Sequence, residues 1–135
     1  MKRYIAILMG ILVLAGCKKN NPEPTPASLD GEWELTAVST KSVKIGSESV
    51  SVYISFSDGN FVLYQQLGNT RPRKYSGTYT LAGNVLEGKY SDGKKLGSKW
   101  EVSLENDSLK LVSETNEVDT YRKCTIPSDI KEKAY

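Results

Sequence analysis

From Gly31 onward the sequence predicts an all-β domain, an eight-stranded antiparallel up-and-down barrel. Three observations predict it. Apolar residues recur with a period of two, which is the strand period and not the 3.6 of a helix. Gly, Asn and Asp interrupt the apolar runs at short intervals, and these residues tolerate the positive φ that tight hairpins require. Nothing between the runs is long enough for a crossover helix, so neighbouring strands should pair antiparallel.

The strands follow in order. Trp33 and Leu35 alternate with Glu32, Glu34 and Thr36, and Val50, Val52, Ile54 and Phe56 with Ser49, Ser51, Tyr53 and Ser55. Phe61 and Leu63 open a more mixed third run with Val62, Tyr64 and Gln66. Tyr75, Tyr79 and Leu81 lead a fourth, and Leu86 and Tyr90 a fifth. Trp100, Val102 and Leu104 make the sixth, Leu109 and Leu111 the seventh, and residues 118–125 the last. Turn signals lie between them at Asp58-Gly59, Gly68-Asn69, Gly83-Asn84, Asp92-Gly93, Asn106-Asp107 and Asn116. Strands with one apolar face each are best satisfied by closure, which removes the exposed edges. An open curled sheet or a two-sheet sandwich is the second choice.

Loop lengths divide the ends of such a meander. The second, fourth and sixth connections are tight, whereas those near residues 41–48, 68–72 and 91–97 are longer. One end should be closed by short turns and the other should carry loops, as in a cup.

The start of the chain reads as a targeting segment. Lys2 and Arg3 precede an apolar run from Tyr4 to Leu14, which is shorter than the roughly 20 residues a membrane span needs. The run ends in Leu14-Ala15-Gly16-Cys17, which resembles the lipobox of bacterial lipoproteins. The resemblance implies cleavage after residue 16, a diacylglycerol on Cys17 and a further acyl chain on its amino terminus. Several chains together hold a protein firmly on a membrane. Residues 17–28 then form the lipidated cysteine and a Pro- and Asn-rich tether, expected to be extended and non-helical. Residues 29–126 form the barrel domain and residues 127–135 a charged tail with room for one helical turn.

Composition excludes several functions. The 18 basic residues lose Lys2 and Arg3 on processing, which leaves as many bases as the 16 acids. A net charge near zero argues against general nucleic-acid binding. There is no histidine, so His-activated nucleophiles and the commonest metal ligand are missing. Acylation consumes one of the two cysteines, so Cys124 has no disulfide partner and reads as a half-buried strand residue. Glu32 and Glu34 share one face of the first strand, but that face lies opposite Trp33, so they read as surface. No enzyme, cofactor or metal site is expected.

Leu29-Asp30-Gly31-Glu32-Trp33 resembles the Gly-x-Trp signature of the lipocalins, and Asp58-Gly59-Asn60-Phe61 and Gly77-Thr78-Tyr79 resemble motifs of lipocalin-like domains in bacterial lipoproteins. The resemblance implies that Trp33 plugs the closed end and that Arg122, near the end of the last strand, packs across it by a cation–π contact. The chain is shorter than secreted lipocalins and lacks their long helix after the barrel.

The expected function is binding of a small apolar or amphipathic molecule, an anionic head group included. On the apolar face near the long-loop end stand Gln65, Leu67, Arg73, Tyr75, Tyr90 and Trp100, which suit such a pocket. The same rings could instead fill the barrel. Lys41, Lys44, Arg71, Arg73, Lys74, Lys94 and Lys95 give that end a local positive excess. The alternative is a structural or interaction lipoprotein that contacts a protein or glycan through its loops. A tether entering at the closed end turns the mouth away from the membrane. With no acidic run after Cys17, the expected place is the outer membrane, facing the periplasm.

Overall fold

The structure, a computed structural model, describes residues 23–38, 50–97 and 99–135. The signal segment, Cys17, most of the tether and the first long loop with Lys41 and Lys44 lie outside the described residues.

The eight runs form β1 (Gly31–Val38), β2 (Val50–Ser57), β3 (Asn60–Leu67), β4 (Arg73–Ala82), β5 (Val85–Tyr90), β6 (Trp100–Glu105), β7 (Ser108–Ser113) and β8 (Val118–Cys124). They close into one antiparallel barrel in sequence order, with β8 pairing back onto β1. Several turn residues read from the sequence take positive φ, among them Asp58, Gly59, Gly68, Gly83, Gly93, Asn106 and Asn116. The seam between β5 and β6 is short: among the described residues Val85 pairs with Glu101 and Leu86 with Trp100. Past Leu86 the loop after β5 folds back in place of β6. The Tyr90 amide donates to the Lys94 carbonyl and the Leu96 amide to the Gly88 carbonyl.

Inward-facing residues fill the lower part of the barrel. Trp33, Phe56, Phe61, Leu86 and Leu109 are fully buried there. Gly77 makes this packing possible. A Cβ at that position would collide with the Lys89 carbonyl oxygen and lie 2.8 Å from the Phe61 ring.

The end of the tether differs from the extended chain expected of it. Pro26–Leu29 forms a helical turn, α1. Thr25 caps it, with its hydroxyl accepting from the Ser28 amide at 3.1 Å, and Pro26 takes the first position, where its missing N–H costs nothing. The turn carries Leu29 under the closed end, where it is completely buried.

The tail also acquires a role. Ser128–Lys133 is a second helical turn, α2, packed outside the barrel. Ile126 and Ile130 build a small apolar cluster there with Tyr64, against Tyr53, Val62 and Cys124. Cys124 is a free, half-buried thiol, and burial pushes its pKa up.

Candidate ligand cleft at the open end

The closed end is sealed by Trp33. Its indole Nε1 donates to the Leu29 carbonyl at 2.9 Å, so the one polar atom of a buried ring is satisfied. The cation over the ring is Lys123, with Nζ 4.7 Å from the centroid, and not Arg122 as the family resemblance implied. Pairing explains the correction. Trp33 lies directly opposite Lys123, and directly opposed residues share a face of the sheet. Arg122 lies opposite Glu34, faces outward, and bonds to that carboxylate at 3.1 Å. Lys123 also donates to the Asp30 carbonyl, 3.2 Å away. A Cβ at Gly31 would meet its ammonium at 2.8 Å, and Gly31 has φ +135°. The positive φ is what requires the glycine of Gly-x-Trp, since the lysine head could shift aside.

Glu32 and Glu34 are outward, as their alternation implies, but both are engaged. Glu32 accepts from the Ile126 amide at 2.8 Å and pairs with Lys131 of α2. Burial works to raise the Glu32 pKa, yet the Lys131 and Ile126 hydrogen bonds outweigh it and hold the carboxyl below its usual range. Lys131 is shifted upward by the same bond. A lowered carboxyl stabilises the fold above its unfolded pKa, about 4.3, and loses that effect as pH falls through its folded value. A raised amine stabilises below its unfolded pKa and loses the effect as pH rises through its folded value. Docking of α2 should therefore be firm at neutral pH and loosen in acid below about pH 4.3. Protection of the Ile126 and Ala134 amides relative to their intrinsic exchange rates should fall there, and Glu32→Gln should abolish that acid step.

The open end carries the residues expected to bind a ligand, and the structure brings together three of the six. Gln65, Tyr75 and Tyr90 line a half-open cleft of about 420 Å³, floored by Leu63, with Lys74, Asp92 and Lys94 at its rim. Tyr90 anchors the wall. Its ring meets Phe61 edge-on at 5.6 Å and Tyr75 at 6.1 Å. The other three do not line it. Leu67 stands at the rim with 61% of its surface exposed. Arg73 stands at the edge of the cleft, where the Tyr75 and Tyr135 hydroxyls beside it raise its pKa; its Nε donates to the Tyr135 hydroxyl at 3.2 Å, and Arg71 stacks on the same ring at 4.6 Å. Trp100 packs beneath the fold-back loop, with its Nε1 donating to the Leu96 carbonyl at 3.1 Å.

Two inward residues of β8 were missed by sequence reasoning. Tyr121 is buried, opposite Leu35 and Leu109. Asp119 lies opposite Leu111 and Val38, both part of the core or packed on it. Burial, and secondarily Glu117, raise the Asp119 pKa, and burial followed by the Asp119 charge and Tyr90 raises that of Tyr121. The signal was available: once Tyr121 is read as inward, the two-residue period places Asp119 and Lys123 inward as well.

A larger hollow of about 580 Å³ lies on the outer side, between Thr78, Glu87 and Lys89 and the fold-back loop. Charges of both signs stand around it, and Tyr79 is the one aromatic ring among its described lining residues.

A family model described as a lipocalin-like domain matches residues 29–111. No curated protein matches the chain.

Proposed function

This chain belongs to the lipocalin-like domain family, and on that footing we propose that it binds a small apolar or amphipathic molecule at the open end of its barrel while a lipid on Cys17 holds it to a membrane. The lipocalin-like barrel is in general a fold for small-molecule binding rather than for catalysis. The observation that carries the proposal is the aromatic cleft of about 420 Å³ at the mouth, above a filled lower core. An apolar floor, two tyrosine rings and one amide are the composition expected of a small-ligand site.

The test is displacement of a neutral naphthylamine dye. Tyr75→Ala should weaken dye binding about five- to tenfold, the equivalent of the roughly 1 kcal/mol an aromatic contact contributes. Leu67→Ala should change it less than about twofold, because Leu67 lies outside the cleft. Equal affinity of wild type and Tyr75→Ala would remove the cleft as the site.

Anchoring rests on the lipobox alone and is tested by palmitate labelling in cells, which Cys17→Ser should abolish. Entry of the tether through α1 at the closed end supports a mouth directed away from the membrane. This orientation suits an outer-membrane protein facing the periplasm.

A further inference from the structure

We propose that the mouth of the barrel takes a small organic cation, with its ammonium held by the Asp119 carboxylate and its body by the aromatic wall of Tyr75, Tyr90 and Tyr121. The inference deepens the ligand-binding reading above and rests on it.

The geometry begins with strand order. In a closed barrel of eight strands, β8 stands across the lumen from β4 and β5. Tyr75 and Tyr90 point inward from those two strands, and Tyr121 and Asp119 point inward from β8. Tyr75 lies opposite the buried Leu63 and Asp119 opposite the buried Leu111, so the two walls face one lumen.

Asp119 is the anomaly in that lumen. It is half-buried, and among the described residues its carboxylate accepts no hydrogen bond and meets no cation. The other inward charge of β8, Lys123, is already engaged with Trp33 and Asp30 at the closed end. Taking a carboxylate out of water without a partner is unfavourable, and the usual outcomes are a partner or a role. An organic ammonium satisfies both halves of this wall, because aromatic faces attract it as well as the carboxylate.

The rim lysines point the other way and have to be weighed. Lys74 and Lys94 are exposed, the Asp92 side chain accepts from the Lys94 amide at 2.9 Å, and the exposed Arg73 guanidinium lies beside the Tyr75 hydroxyl. A charge pair interacts several times more strongly at the effective dielectric near a protein surface than in bulk water. The half-buried Asp119 therefore outweighs the solvated rim inside the lumen. The lysines affect approach more than the bound state.

The test uses the full chain and three probes with the same aromatic body: benzyltrimethylammonium, benzyl alcohol and phenylacetate, titrated by NMR. The cation is expected to bind at least about tenfold more tightly than phenylacetate, and Asp119→Asn should erase that difference. The variant should fold. Its raised carboxyl favours the protonated form in the native state, so ionisation at neutral pH opposes folding and the amide should hold or raise the melting temperature. Equal binding of cation and anion, or a preference unchanged in Asp119→Asn, would overturn the inference. If benzyl alcohol still binds and Tyr75→Ala weakens it, the cleft reading survives that result. Binding of none of the three would overturn both.

Discussion

Trp33→Ala is expected to lower stability by about 4 kcal/mol, a large part of the 5–15 kcal/mol typical of a whole domain. The ring is 1% exposed and seals the closed end between Leu29 and Lys123. Truncation opens a cavity that the barrel wall cannot collapse to fill, because closed strands resist moving inward. It also leaves the Leu29 carbonyl without its donor. The midpoint of urea unfolding should fall by roughly 2 M, taking a slope near 2 kcal/mol per molar. Lys123→Ala should cost about 1 kcal/mol through the lost cation–π contact. Arg122→Ala should cost less than about 0.5 kcal/mol, since its ion pair with Glu34 is solvent-exposed. A larger loss from Arg122→Ala than from Lys123→Ala would show that the cap over Trp33 has been misassigned.

Gly77→Ala should cost about 3 kcal/mol, the upper end of the usual range for overpacking. The new methyl would be driven into the Lys89 carbonyl oxygen and the Phe61 ring. Neither can yield cheaply. The carbonyl belongs to the β4–β5 ladder, and Phe61 is fully buried and in ring contact with Tyr90. Gly88→Ala is the matched control. Its methyl would meet Leu96 at 2.8 Å from Cδ2 and 3.0 Å from Cβ, a residue of the fold-back loop rather than of a strand. That variant should lose about 1 kcal/mol. Thermal melts of the two proteins read the difference directly. Equal losses would mean that the barrel wall at Gly77 is softer than its contacts imply.

How much of this was legible beforehand depends on the range of each interaction. Strand number, pairing sense and turn positions follow from alternation and from residues that accept positive φ, both properties of a few neighbouring positions. The short helix α1 was also legible in principle, because Thr25 followed by Pro26 is a capping signal. The Pro-rich composition of the tether obscured it. Gln65, Tyr75 and Tyr90 came out in one cleft because all three obey the two-residue period near the same end.

What the sequence determined by itself, then, is the all-β class and the closed meander, because these depend on local periodicity and hydrophobicity; the plug role of Trp33 came from the likeness of Gly31-Glu32-Trp33 to the lipocalin signature. Only the tertiary structure decided that Lys123 and not Arg122 caps Trp33, that Trp100 and Arg73 serve the loop and the tail, and that Asp119 faces the lumen. Each of these turns on register across a strand pair or on contact between distant segments. A one-residue change of register exchanges the two faces of a strand, so such assignments follow only from the actual pairing.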